Sequence, residues 1–416
     1  ITLIKEVTNN NGGNAGPDDF GISVGGTGVT SGLITNVDAN TAYALDEVGL
    51  TGYTFVSIGQ GTNDSVKCPS VLGGEVTLNE GENITCTITN DDIAPKLTLI
   101  KDPTNDDGGN AQPDDFQLTV GGNPVLSGVA STLDANTPYA IDETQVSGYT
   151  FVSITGDAKC PSVLGGEVTL DEGDDITCTI TNDDQPATLI LKKILPNNDG
   201  GQAVEGDFAV YINSVQSSWG SHSVDAGDYT VNEDSLAGYT ASVWGTDCAD
   251  DGKVSLLPGE TKTCTITNDD IASSISGKKY EDVNGDGDFD INESGLENWT
   301  IELKDEQGQK VVSQQTDADG NYSFENVSAG TYSVCEVEQE DYTRTEPAGS
   351  NCHSGVVVGL DEQITGIDFG NFENIDVTVC KYVDENGDGD IGDDPHYIEE
   401  GGWEVWLGEK SQPTVE

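Results

Sequence analysis

The sequence predicts an all-β protein built of tandem β-sandwich domains. Three observations carry this. Apolar residues alternate with polar ones in short runs of period two, the signature of half-buried strands. Turn formers are dense, with 52 glycines among 416 residues, and no helical periodicity of useful length is present. The stretch Cys-Thr-Ile-Thr-Asn-Asp-Asp recurs at 86–92, 178–184 and 264–270, closing three repeats of whole-domain length.

The length exceeds what one core can hold and divides into units at 1–92, 97–184, 189–270, 275–372 and 375–416. The connections Ile93-Ala-Pro-Lys96, Gln185-Pro-Ala-Thr188 and Ile271-Ala-Ser-Ser274 are short enough to restrict the angles between neighbours. If the first and last strands of a repeat lie parallel, its termini fall at opposite ends and the domains stack into a rod.

Within each repeat, three strands turn one polar group inward. In the closing strand, Asn90, Asn182 and Asn268 share parity with Ile88, Ile180 and Ile266 and with Cys86, Cys178 and Cys264. In the opening strand, Lys5 follows Ile1 and Leu3, Lys101 follows Leu97 and Leu99, and Lys193 follows Leu189 and Leu191. Midway, Glu47, Glu143 and Glu233 are in phase with Tyr43 and Leu45, Tyr139 and Ile141, and Tyr229 and Val231. Lysine and glutamate are rarely buried unpaired, so three copies with one phasing point to a shared interior site.

The first-strand Lys, the Tyr-x-x-x-Glu followed by Gly52-Tyr53, Gly148-Tyr149 or Gly238-Tyr239, and the last-strand Ile-x-Asn resemble the collagen-adhesin B-type, prealbumin-like domains of bacterial surface proteins and pilins. The resemblance implies immunoglobulin-like or prealbumin-like sandwiches. It also implies isopeptide bonds joining Lys5 to Asn90, Lys101 to Asn182 and Lys193 to Asn268, with Glu47, Glu143 and Glu233 assisting catalytically. An apolar site pushes a lysine towards the neutral nucleophile and a glutamate towards the proton donor. The alternative reading is a buried Lys-Glu ion pair with the Asn hydrogen-bonded beside it.

Each repeat also has an early turn, at 9–13, 105–109 and 197–201, ending in Gly-Gly and followed by Asp19-Phe20, Asp115-Phe116 or Asp207-Phe208. This reads as a left-handed turn with a capping Asp, with a weak cation site as the alternative.

The fourth unit changes character. Ile275-Ser-Gly-Lys-Lys-Tyr-Glu-Asp282, Thr316-Asp-Ala-Asp-Gly-Asn-Tyr-Ser-Phe324, Ala329-Gly-Thr-Tyr-Ser-Val334 and Ile367-Asp-Phe-Gly370 are similar to the calcium-binding B domains of serine-aspartate repeat surface proteins. Asp282, Asn284, Asp286, Asp288, Asp290 and Glu293 fill the places of a twelve-residue calcium loop, with Gly287 at its sharp turn. Lys279, Glu336 and Asn371 align with the repeat trios, but Cys335 and the Phe-Gly-Asn context depart from them and weigh against a cross-link there. A second loop of the same type begins with Asp384, Asn386, Asp388 and Asp390. Pro395 takes its twelfth place, so Glu399 or Glu400 must close it across an insertion. The residues after 374 are too few for a sandwich, which must continue beyond Glu416 or borrow strands.

Of nine cysteines, eight fall two to a unit, which predicts the disulfides Cys68–Cys86, Cys160–Cys178, Cys248–Cys264 and Cys335–Cys352 and an oxidising, extracellular setting. Cys380 is left over. The 75 acidic against 16 basic residues give a net charge of −59. That excludes nucleic acid and anionic membranes as partners and favours calcium, a salty medium, or both. No apolar run is long enough to span a membrane, and Met is absent even at position 1, so the chain reads as a processed form or excerpt. Asn63, Asn83, Asn292, Asn298, Asn321 and Asn326 stand in glycosylation sequons. No Ser-His-Asp set, zinc site or phosphate loop is found, and His222, His353 and His396 are isolated. The expected role is a non-enzymatic segment of a cell-surface filament, pilus-like fibre or adhesin stalk. Its expected partners are further copies in a fibre or the rest of a longer chain. A module gripping host matrix or glycan, and the stalk of a secreted enzyme, are the alternatives.

Overall fold

The computed structural model describes residues 1–59 and 64–376, together with Gly387. It is all-β: among the described residues, helical geometry is confined to three 3-10 turns, Pro17–Asp19, Pro113–Asp115 and Glu205–Asp207. None is long and apolar enough to cross a membrane. Eight sheets pair into four sandwiches in tandem. The chain forms two compact units, one of Ile1–Ile194, Val204–Asp234 and Ala241–Thr267, the other of Leu195–Ala203, Ser235–Thr240 and Asn268–Glu416.

Each sandwich places its opening and closing strands side by side and parallel. Thr2–Thr8 runs along Thr85–Asp92, Lys96–Thr104 along Asp175–Asp184, Ala187–Ile194 along Thr261–Asp270, and Ser273–Glu281 along Phe369–Glu373. The opposite sheet contains the central glutamate strand, Ala42–Val48, Pro138–Glu143, Gly227–Glu233 or Gly330–Glu336. Period-two alternation sends one residue set between the sheets, so Leu3, Leu45 and Ile88 are buried in the first core and Leu99, Ile141 and Ile180 in the second. Each such side chain contributes about 1.5–3 kcal/mol relative to exposure.

The short connections are hydrogen-bonded on both sides. In the first unit the Ile93 N–H donates to Gly52 O (2.8 Å) and Ile93 O accepts from Gly173 (2.8 Å). Gln185 does the same with Gly148 (2.8 Å) and Gly259 (2.7 Å). In the second unit Ile271 bonds Gly238 (2.9 Å) and Asp361 (3.0 Å). A linker whose amide and carbonyl are both engaged has little freedom to swivel.

Candidate functional site: buried Lys-Glu-Asn clusters and acidic loops

The inward lysine and asparagine come from one sheet and the glutamate from the facing one. In the parallel register Lys5 pairs with Ile88, Lys101 with Ile180, Lys193 with Ile266 and Lys279 with Phe369. Each asparagine lies two residues further on, the next position on the same face. Lys5 Nζ lies 3.0 Å from Glu47 Oε2, and Lys101 Nζ 3.1 Å from Glu143 Oε2, all four side chains being at most 1% exposed. Lys193 pairs with Glu233 in the same way.

Asn90, Asn182 and Asn268 are all buried. In the second repeat Asn182 is engaged from both sides: Lys101 Nζ donates to its Oδ1, and its Nδ2 donates to Glu143 Oε1 at 2.5 Å. In the first and third repeats the asparagine Oδ1 has no hydrogen-bond partner. Burial pushes Lys5, Lys101 and Lys193 below the ordinary lysine value, against the pull of the paired carboxylate. In the second repeat the buried amine, shifted towards its neutral form, thus stands against both a carboxylate and the asparagine amide, the groups that acyl transfer to a lysine would need.

Domain four holds the same arrangement. Lys279 Nζ lies 3.1 Å from Glu336 Oε2, both side chains fully buried, and it donates to Asn371 Oδ1. The departures at Cys335 and in the Phe-Gly-Asn segment leave that geometry intact.

The early turns of the repeats are capped from far along the chain. Asp92 accepts the N–H groups of Asn10 (3.1 Å), Asn11 (2.9 Å) and Gly13 (2.7 Å). Asp184 does so for Asp106 (3.0 Å), Asp107 (3.1 Å) and Gly109 (2.5 Å), and Asp270 for Asp199 (2.8 Å) and Gly201 (2.7 Å). The tyrosine of each Gly-Tyr pair reaches the same turn. The Tyr53 hydroxyl accepts Ala15 N–H (2.9 Å) and donates to Asn9 Oδ1 (2.8 Å). A Cβ at position 109 would stand 2.2 Å from the Tyr149 hydroxyl and 2.7 Å from Asp184 Oδ2, so any larger residue forces these two side chains to shift. In the second repeat alone among the described residues, three carboxylates, Asp106, Asp183 and Asp184, bring an oxygen each within 4.8 Å of one another. Burial and the neighbouring Asp106 push Asp183 up.

In domain four, the loop after the opening strand organises its own carboxylates. Buried Asp282 accepts the N–H groups of Gly285 (2.6 Å) and Gly287 (2.8 Å), and Gly287 has φ +85°. Glu293 spans the loop, accepting from Val283 and Asp290 (2.9 Å each). The Asn284 amide donates to both Asp286 Oδ2 and Asp290 Oδ2 (3.0 Å each), so the positive end of a dipole sits between two carboxylates. An all-oxygen donor set in this order, around a point that already attracts positive charge, fits a hard cation such as calcium. Its carboxylates stand further apart than those of the Asp106 cluster, and a bound cation would draw them in.

Residues 1–88, 92–180 and 184–266 match the prealbumin-like fold domain, together more than half of the chain, and residues 273–356 match the SdrD B-like domain. The chain belongs to the prealbumin-like fold domain family. Serine-aspartate repeat-containing protein F of Staphylococcus epidermidis (strain ATCC 12228 / FDA PCI 1200) is 31% identical over 192 residues, 41% of this chain and 11% of that protein. Serine-aspartate repeat-containing protein E of Staphylococcus aureus (strain MSSA476) is 32% identical over 133 residues, 29% of this chain and 11% of that protein. The chain thus spans only 11% of the length of these curated relatives. Among solved structures, the Bacillus anthracis TIE protein aligns with 86% of this chain and 76% of its own at 14% identity and a TM-score of 0.44. The two B repeat units of the Staphylococcus aureus collagen binding protein align with 90% of this chain and 98% of their own at 15% identity and a TM-score of 0.18. At these TM-scores neither adds to the fold seen directly. Three prealbumin-like repeats and an SdrD B-like domain make this a cell-surface chain of tandem repeat domains.

The four predicted disulfides are present. Cys68–Cys86, Cys160–Cys178 and Cys248–Cys264 tie a loop to the closing strand of each prealbumin-like repeat, with Cα atoms 5.0–5.8 Å apart. In the SdrD B-like domain Cys335–Cys352 instead joins neighbouring antiparallel strands. Sequence reasoning missed the aromatic ring over each amine. Lys5 Nζ lies 4.1 Å from the Phe20 centroid, Lys101 4.2 Å from Phe116, Lys193 3.7 Å from Phe208, and Lys279 4.5 Å from Trp299. The recurring Asp-Phe pair was the available signal. Asn83, Asn292, Asn298, Asn321 and Asn326 are exposed. Asn63, Cys380, the second loop with Asp384, Asn386, Asp388, Asp390, Glu399 and Glu400, and all but the first two residues and Gly387 of unit 375–416 lie outside the described residues.

Proposed function

We propose that this chain is a load-bearing segment of a surface filament, pilus-like fibre or adhesin stalk, its repeats closed by Lys5–Asn90, Lys101–Asn182 and Lys193–Asn268 isopeptide bonds. The observation that carries the reading is the parallel, adjacent pairing of opening and closing strands, with the buried Lys and Asn on one face of that pair. A covalent bond there passes tension straight from entry to exit strand and shields the intervening loop of about 85 residues, which on the entropic model also gains about 4–5 kcal/mol. Within the SdrD B-like domain, calcium on Asp282, Asn284, Asp286, Asp288, Asp290 and Glu293 would neutralise the loop and stiffen the start of the sandwich. Further copies in a fibre, or other parts of a longer chain, supply the neighbours.

The test is an intact mass and peptide map of reduced, calcium-stripped protein, followed by stretching single molecules from their ends. Each of the three repeats should lack one ammonia and refuse to extend, and Glu47→Ala, Glu143→Ala and Glu233→Ala should restore extension repeat by repeat. An unmodified mass would reduce the three clusters to buried hydrogen-bonded ion pairs and remove the load-bearing role.

A further inference from the structure

We propose that the SdrD B-like domain carries a cross-link of its own, an amide between Lys279 Nζ and Asn371 Cγ, with Glu336 carrying the protons. It rests on the chemistry proposed for the repeats, at a site of separate residues.

The geometry matches or exceeds that of the repeats. Lys279 and Glu336 have no exposed side-chain surface, and Asn371 is 1% exposed. The amine is held from several directions: it donates to Asn371 Oδ1 and to Phe369 O (3.3 Å), stands 3.1 Å from Glu336 Oε2, and lies against the Trp299 ring. Of the repeats, only the second also has the lysine donating to the asparagine carbonyl oxygen. Glu336 Oε2 faces the Lys279 amine while Oε1 has no hydrogen-bond partner, so the carboxyl group can take a proton from that amine and return it. Burial pushes Lys279 down to about 8 and Glu336 above the usual carboxylate range, each towards its neutral form.

The step is balanced without any further reagent. The Nζ lone pair attacks Asn371 Cγ, and one Nζ proton passes through Glu336 to Nδ2. The Cγ–Nδ2 bond then breaks and ammonia leaves, while Nζ keeps one hydrogen as a secondary amide and Glu336 ends in the state in which it began. The product staples the strand that feeds the calcium loop: Asp282, the first loop residue, already donates its N–H to Asn371 O at 2.8 Å.

The deciding experiment is a peptide map of the full chain beside its Glu336→Gln variant. The expected result is a branched peptide joining the Lys279 and Asn371 segments, lighter by one ammonia than its parts. It should vanish in Glu336→Gln while the Lys101–Asn182 branched peptide persists. Separate Lys279 and Asn371 peptides alongside cross-linked repeats would overturn this inference and leave the repeat reading standing. Separate peptides everywhere would overturn both. Because the wild-type map decides, a Glu336→Gln variant that fails to fold does not rescue the proposal.

Discussion

Repeat two and the SdrD B-like domain hold the same Lys-Glu-Asn cluster but finish their opening strands differently. In repeat two, Asp184 reaches in from the closing strand and satisfies three backbone N–H groups of the early turn. In the SdrD B-like domain, the loop from Asp282 to Glu293 is held by its own side chains and leaves Asp286 and Asp290 converging on one amide. The interior site is thus set by strand register and tolerates changes in the surrounding sequence. The turn beyond it is either complete in itself or an invitation to a cation.

The contrast breaks most sharply at Asp184. Asp184→Ala would orphan the amides of Asp106, Asp107 and Gly109, bonds to a charged acceptor worth about 1.5–3 kcal/mol each. A loss of at least about 3 kcal/mol in local protection is expected, read by hydrogen exchange at 106–109 with and without calcium. If protection there rises with calcium in the wild type and that rise is lost in Asp184→Ala, the Asp106, Asp183 and Asp184 cluster is itself an ion site and the contrast collapses.

Calcium removal tests the other arm. On the proposed reading, chelation loosens the SdrD B-like domain by about 2.7 kcal/mol relative to calcium at a hundred times its dissociation constant, and leaves the three repeats unchanged. Domain-resolved hydrogen exchange before and after chelation measures this. Equal loosening of the repeats would show that the acidic turns share one mechanism.

The parts legible beforehand were those encoded locally. Alternation placed Lys5, Glu47 and Asn90 inside because a strand has period two, and paired cysteines in each unit gave the bridges. What stayed hidden was non-local. Nothing near residue 10 announces that its turn is capped by Asp92, and an Asp-Phe pair does not disclose that Phe20 lies over Lys5. The domain-four cluster was visible as an alignment, yet Cys335 and the Phe-Gly-Asn segment obscured it. Local context is a poor guide where the constraint is which residues face each other across two sheets.

The smallest expected effect separates a titrating amine from a spent one. In Asn371→Ala the Lys279 amine survives, with burial holding it down at about 8 against the attraction of Glu336 and Glu346, while Arg344 lowers it further. The folded state then gives up its proton near pH 8, whereas the unfolded chain keeps it until about 10.5. Between those values the unfolded state binds more protons, so stability must rise with pH, by at most about 1.4 kcal/mol per unit. Below pH 8 both states are protonated and the slope from this group vanishes. On the proposed cross-link, the wild-type protein has an amide nitrogen in place of the amine, with nothing to titrate, and its curve should lack this rise. Urea unfolding of the SdrD B-like domain at pH 8 and pH 9, in both proteins, measures the difference. The same rise in wild type would mean that Lys279 is still an amine, and a flat Asn371→Ala curve would mean that its burial does not depress it.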